Sequence, residues 1–237
     1  MNLPIRLNRS PPNRKDCSDS KSWQLGVDLG STLSAAGFIL TPKNSRDSGD
    51  FYEVEAITNY PKGTGDGSGK SPYHEVPTEI YYDLDKDRVL IGYEAQFMKN
   101  SHRPAKQRGI HVSLFKPLLH DDEDTEENRN QTATTLAALS GDKTVDRVTT
   151  DFLEHLLRHV KKQMTLQKRY DEKDIVHLSC TVPAVWPPRA KRRILRAYID
   201  ACAKAGLRIE NDISLWSEPE AATAYVLATE KDIDWDV

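Results

Sequence analysis

The chain has few cysteines and no long apolar run. Three cysteines, Cys17, Cys180 and Cys202, are scattered over 237 residues, which excludes a disulfide framework or a cysteine-based zinc site and predicts free thiols, the last two buried. No stretch approaches the roughly 18 apolar residues of a membrane-spanning helix, and the polar N-terminus lacks the apolar region of a signal peptide. We therefore expect a cytoplasmic protein with no membrane partner.

Neither sign of charge dominates the composition. The formal net charge is -3 at pH 7, so the chain has no global basic field, which argues against nucleic acid as a partner but not against a small anionic ligand. Five basic residues do occur close together in "PRAKRRILR", residues 188–196, a cluster that could contact nucleic acid or act as a targeting signal. Because Ile194, Leu195 and Tyr198 give the same segment a packed side, we favour an exposed basic helix face.

Short apolar runs separated by turns dominate the first half of the chain. Residues 1–22 contain little to bury and predict a disordered leader. Three runs then predict an antiparallel meander of strands: "WQLGVDLG", "SAAGFILT" and "YEVEAITNY". Two further runs, "VPTEIYYD" and "RVLIGYEA", predict another strand pair followed by a short helix through Lys99.

The second half alternates helical and strand patterns. Apolar residues recur every three or four positions over 144–169, which predicts a helix. The nearly continuous apolar run "DIVHLSCTVP" predicts a strand buried on both faces. Three more elements follow: a helix opened by Pro187 and Pro188 and closed by Gly206, a strand around "LRIENDISLW", and a helix from about Glu218 to Glu230. This order predicts an α/β fold whose mixed sheet is flanked by helices.

The turn after the first predicted strand carries polar residues suited to phosphate. Asp28 ends the strand, Gly30 permits a tight backbone turn, and Ser31 and Thr32 add hydroxyl groups. A carboxylate beside such donors can hold hydrated Mg²⁺ while hydroxyls and backbone N–H groups contact phosphate oxygens. An ordinary β-turn uses the same residue types, so the residues alone leave both interpretations open.

Three segments resemble one known family. "GVDLGST" resembles the first phosphate motif of the superfamily of actin, sugar kinases and the seventy-kilodalton heat-shock proteins. The segment "LSCTVPAVWPPRAKRRILRAYIDACAKAGL", followed by "ISLWSEPEAATAYVL", resembles the connecting region of the heat-shock chaperones, and "EVPTEIYYDLDKDRVLIGYEA" resembles one of their subdomains. The resemblance covers about residues 23–230. Gly-rich and acidic loops at 62–72 and 121–130 are more similar to the divergent heat-shock-related proteins abundant in fungi.

The resemblance implies a fold and an organisation into parts. It implies a lobe of actin-like ATPase (ribonuclease H-like) architecture, with a core subdomain formed by residues 23–60 and 144–237. A smaller α+β subdomain, residues 61–143, would be inserted between them and would carry the Gly-rich and acidic loops.

The resemblance also implies roles for individual residues. Asp28 matches the family's Mg²⁺-associated aspartate, and Ser31 and Thr32 match its phosphate-contacting pair after Gly30, with serine in place of the first threonine. ATP or ADP and Mg²⁺ are therefore the expected ligands.

Three further matches lie outside this turn. Lys116 matches a lysine that contacts the γ-phosphate and the attacking water, although the residue alone could be a surface lysine. Glu218 matches a glutamate near the metal and water, and a helix N-terminal acid favoured by the helix dipole is the plainer interpretation. Pro183 matches the family's switch proline.

The chain also departs from the family. The second phosphate loop, Asp-x-Gly-Gly-Gly-Thr, and the Gly-Gly adenosine motif do not occur in the 237 residues. We therefore expect the N-terminal half of a chaperone-type ATP-binding and ATP-hydrolysing domain, weak or inactive alone, with client proteins or cochaperones as partners. The alternatives are a non-catalytic interaction module that pairs with chaperone partners, and a sugar-kinase-like phosphotransferase, which does not account for the Glu-Pro segment.

Overall fold

A computed structural model describes residues 21–41, 54–62, 70–101, 109–120, 144–209 and 213–229, with the isolated residues 130, 134, 136 and 137. The described strands are β1 (Ser22–Leu29), β2 (Leu33–Thr41), β3 (Glu55–Ala56), β4 (Tyr60–Pro61), β5 (Lys70–Ser71), β6 (Glu75–Pro77), β7 (Glu79–Asp83), β8 (Arg88–Ile91), β9 (Gly109–Ser113), β10 (Ile175–Val182) and β11 (Ser214–Ser217). The described helices are α1 (Tyr93–Asn100), a 3-10 helix (Lys116–Leu119), α2 (Val145–Lys168), α3 (Pro188–Ala205) and α4 (Glu218–Thr229).

The main sheet is mixed, as the sequence predicts. Its strand order is β11-β10-β1-β2-β3, and β6 also pairs with β2. β1 is antiparallel to β2 but parallel to β10, and β10 is parallel to β11. A second sheet has the order β8-β7-β9, and β4 pairs with β5. The described part of the chain is therefore a mixed α/β structure.

Two predicted strands are interrupted. The run "VPTEIYYD" is divided at Thr78 between β6 in the main sheet and β7 in the second sheet. The backbone N–H of Thr78 donates to the carbonyl of Thr32, at 2.8 Å, so this residue still follows the register of β6 with β2, whereas β7 pairs with β8 and β9. In the predicted third strand, only the two-residue strands β3 and β4 form over the described residues.

The core lies on one face of the main sheet. Along β1 the residues Trp23, Leu25, Val27 and Leu29 are buried, and they share one apolar cluster with β10, α2 and α3. The prediction that β10 is buried on both faces is wrong. Its residues alternate between buried and half-buried, because its even-numbered side chains face the core, while Ser179 and Thr181 on the other face line a groove described below.

The helices begin and end close to their predicted residues. α2 starts after Thr144, whose hydroxyl accepts from the N–H of Arg147, and α3 ends at Gly206 in the left-handed conformation, with φ of 69°. Cys180 and Cys202 are buried free thiols, as predicted.

Several predicted features lie outside the described residues. They are residues 1–20 of the predicted leader and most of the Gly-rich and acidic loops. The leader was predicted to extend to residue 22, but β1 already begins at Ser22, because its ladder with β2 and β10 starts there. No helix in the described ranges is long and apolar enough to cross a membrane.

Candidate functional site

The β1–β2 hairpin is closed by a turn that only glycine can make. The ladder pairs Leu29 with Ser34, so the chain reverses over the intervening residues. A Cβ atom on Gly30 would lie 2.0 Å from the carbonyl oxygen of Leu33, well inside van der Waals contact with backbone that cannot move aside. The local geometry therefore requires glycine at the position where the sequence predicts a phosphate-binding turn.

The end of this hairpin is held in place while its polar residues stay accessible. Ser31 and Thr32 are exposed. The carbonyl of Thr32 accepts from the N–H of Thr78 at 2.8 Å, and beneath it the buried hydroxyls of Ser34 and Thr78 are 2.7 Å apart. The turn is thus anchored to the segment between β6 and β7, with two hydroxyl-bearing residues at the surface.

Asp28 is exposed near the end of β1, and among the described residues its hydrogen-bond partner is Thr181. The parallel register pairs Val27 with Cys180, which places Thr181 beside Asp28, and the Thr181 hydroxyl donates a hydrogen bond to the Asp28 carboxylate. Within the described residues no second hydrogen-bond donor reaches this carboxylate, which leaves an oxygen open to solvent. Thr181 was missed by sequence reasoning, although a hydroxyl residue near the end of a predicted neighbouring strand is a detectable signal.

The donor set fits a hydrated Mg²⁺ ion rather than a closed metal cage. In the described ranges no three His, Cys, Asp or Glu side chains lie close enough together to hold a metal ion. Mg²⁺ keeps most of its water ligands and is commonly held by one or two carboxylates and substrate phosphates. A single exposed carboxylate, Asp28, beside the Ser31 and Thr32 turn is compatible with that coordination.

Lys116 and Glu218 form the second part of the site. The Lys116 ammonium is 2.8 Å from Oε1 of Glu218, and the Lys116 side chain is 5% exposed, so it is not a surface lysine. The same ammonium lies 5.7 Å from the centre of the Trp186 ring, within cation–π range. Glu218 itself is 45% exposed and is the first residue of α4. Trp186 was also missed by sequence reasoning.

One edge of the main sheet carries both parts of the site. Because β1, β10 and β11 are parallel, their carboxyl ends lie at the same edge. Gly30 follows the first of these strands, Pro183 the second and Glu218 the third. The Pro183 carbonyl accepts from the N–H of Trp186 at 3.2 Å, in the turn that brings this ring to Lys116. The candidate residues therefore form two contact pairs at one sheet edge, Asp28 with Thr181 and Lys116 with Glu218.

A shallow groove continues from Asp28 over the sheet face opposite the core. Its volume is about 420 Å³. Small residues on β1 and β2 form its floor and leave space above the sheet, among them Gly26, Ala35 and Gly37. Trp216, 49% exposed, stands at one side. The groove gives an elongated ligand room beside the exposed carboxylate.

The chain was compared with protein-family models and with curated proteins. No family model matches it, and no curated protein matches it.

Proposed function

We propose that the chain is an Mg²⁺-dependent ATP-binding lobe of actin-like architecture, of the seventy-kilodalton heat-shock type. The observation that carries the proposal is the Gly30 turn, which presents Ser31 and Thr32 beside Asp28 at the sheet edge that also holds Lys116. The motif resemblance described above supports the same assignment. A complete site of this type hydrolyses ATP, and the Mg²⁺ ion there neutralises phosphate charge.

Each residue has a distinct part in this proposal. The hydroxyls of Ser31 and Thr32 and the backbone N–H groups of the turn donate to phosphate oxygens. Asp28 holds the hydrated metal through its open oxygen and is oriented by the Thr181 hydroxyl. Lys116 supplies the positive charge for the terminal phosphate.

The Lys116–Glu218 ion pair has a consequence for nucleotide binding. A terminal phosphate that reaches Lys116 competes with the Glu218 carboxylate for the same ammonium, since the two atoms of the pair are only 2.8 Å apart. The exchange releases Glu218 at the start of α4, where a freed carboxylate can orient a water molecule. Because Lys116 is buried, the ammonium stays desolvated and its interaction with phosphate is strong.

Calorimetric titration of the purified 237-residue chain with millimolar Mg²⁺·ATP and Mg²⁺·ADP tests the proposal. We expect weak saturable binding that requires Mg²⁺ and falls about tenfold or more, or 1.4 kcal/mol, in Asp28→Ala and in Lys116→Met. Glu172→Ala and Lys162→Met, at exposed positions on other parts of the surface, are the matched controls and should bind as the wild type does. Circular dichroism confirms that each variant is folded.

A folded chain that gives no saturable heat with either nucleotide would refute this assignment. One observation would then favour the second candidate, a non-catalytic interaction module that pairs with chaperone partners. The described side chains of α4 are largely exposed although the helix is apolar, with Tyr225 70% and Val226 46% exposed. Such a face is typical of a surface that another protein covers.

A further inference from the structure

The groove between α2 and α3 is lined by charge of one predominant sign. It has a volume of about 690 Å³ and lies between the first turns of α2 and the length of α3. Six of its lining side chains are cationic and two are acidic: Arg147, Arg189, Arg192, Arg193, Arg196 and Lys204, against Asp146 and Asp200. The whole chain has a net charge of -3, so this excess is local.

Internal ion pairs account for only part of the positive charge. Arg193 binds Asp146 through two hydrogen bonds of 2.9 Å and also donates to the Leu119 carbonyl at 2.8 Å, so it has a structural role. Arg147 is 2.8 Å from Asp151, a carboxylate that is itself only 5% exposed. The Arg193 contacts hold α3 to α2 and to the 3-10 helix, whereas the Arg147 pair lies within α2.

Arg192 and Arg196 provide charge that these pairs do not neutralise. Within the described residues no carboxylate lies within 4 Å of Arg192, and Arg196 is 81% exposed with only a 3.8 Å contact to Asp200. They form a short row along α3, one helical turn apart, which is about 6 Å at 1.5 Å per residue. Alternate residues on one face of an extended peptide recur at about that distance.

We propose that this groove binds an acidic segment of a partner protein, with Arg192 and Arg196 as its principal contacts. Guanidinium groups bind carboxylates through two parallel hydrogen bonds, and carboxylates on an extended chain recur at a spacing that the arginine row matches. The surface lies on α3 and not at the sheet edge of the nucleotide site, so the proposal does not depend on ATP binding.

The lining favours carboxylates over nucleic acid. None of the described residues that line the groove is aromatic, so it offers no ring on which a base could stack. Asp200 at the rim adds a repulsive charge that a continuous phosphate backbone meets and a short peptide can avoid.

Fluorescence anisotropy with a labelled oligoglutamate peptide tests the proposal, with an oligothymidylate of equal charge as the competing probe. We expect saturable binding of the peptide at low salt that weakens as salt is raised. The double variant Arg192→Glu, Arg196→Glu should weaken peptide binding about tenfold or more, since two contacts become repulsive. Lys99→Glu, Lys162→Glu makes the same change of net charge on exposed residues away from the groove and should stay within about twofold of the wild type.

Three outcomes would overturn the proposal. Equal weakening by both double variants would show general electrostatic attraction without a site. Tighter binding of the oligothymidylate than of the peptide would assign the groove to nucleic acid. Peptide binding that appears only in the variant Asp121→Asn, Asp122→Asn, Glu123→Gln, Asp124→Asn would identify the chain's own acidic run as the occupant.

Discussion

Replacing Asp174 by alanine should cost the protein a large part of its stability. Asp174 is 1% exposed, and its carboxylate accepts three hydrogen bonds. The donors are the N–H of Lys21 at 2.8 Å, the N–H of Asp171 at 3.0 Å and the indole Nε1 of Trp23 at 3.1 Å. This one side chain thereby joins the start of β1 to the turn that precedes β10.

The magnitude follows from the environment of each donor. The Trp23 indole is fully buried, so its N–H is left unsatisfied after the substitution, which costs about 1–3 kcal/mol. The two backbone donors are only partly buried and can form hydrogen bonds with water instead. The loss of each of these two hydrogen bonds therefore costs about 1 kcal/mol of stability. We expect a total loss of about 3–5 kcal/mol in the free energy of unfolding, against a whole-domain stability of about 5–15 kcal/mol.

The effect has a defined pH dependence. Burial raises the pKa of Asp174. The hydrogen bonds from Lys21, Asp171 and Trp23 lower this pKa by more than burial raises it, so the net pKa is lowered. A carboxylate whose pKa is lowered by folding stabilises the native state above its unfolded pKa, about 3.9, and loses that contribution as pH falls through the folded pKa. The difference in the free energy of unfolding between wild type and Asp174→Ala should therefore be largest at pH 7. It should decrease as the pH falls below the unfolded pKa.

Urea denaturation followed by far-ultraviolet circular dichroism measures this difference. Trp23→Phe is the partial control, because it removes one donor and keeps an aromatic ring beside Phe38 and Tyr170, and it should cost less than Asp174→Ala. A loss below about 1 kcal/mol for Asp174→Ala, or a loss that does not change with pH, would refute the reasoning.

Two further substitutions test the hairpin and the second sheet. Gly30→Ala should destabilise the protein by more than about 1 kcal/mol in urea denaturation, whereas Gly26→Ala, whose Cβ would have its nearest neighbour at 3.8 Å, should change stability far less. Equal effects of the two would contradict the tight turn. Burial raises the pKa of Glu79, but hydrogen bonds with His111 and Gln96 outweigh it, so the net pKa is lowered. The wild type should therefore lose more stability than Glu79→Gln as the pH is lowered through the Glu79 pKa, and parallel stability–pH curves would contradict this.

Local sequence signals determined the regular elements and the outline of the candidate site. The periodicity of residues 144–169 and the Pro188 and Gly206 boundaries predicted α2 and α3 to within a residue or two, because helix formation and capping depend on neighbours in sequence. The Asp28–Thr32 turn could be predicted for the same reason, since glycine and strand-end polar residues act within a few positions.

Tertiary structure alone decided which side chains meet. Lys116 lies 102 residues from Glu218, and Asp28 lies 153 residues from Thr181, so neither pair leaves a local pattern. The break at Thr78 arose because β6 pairs with β2 in the main sheet, whereas β7 pairs with β8 and β9 in the second sheet, and these partners are distant in sequence. The half-exposed face of β10 was missed because hydrophobicity along one strand cannot show whether helices pack on one face of a sheet or on both. Burial of Lys116 likewise depends on where the 3-10 helix packs, which is a property of the assembled fold.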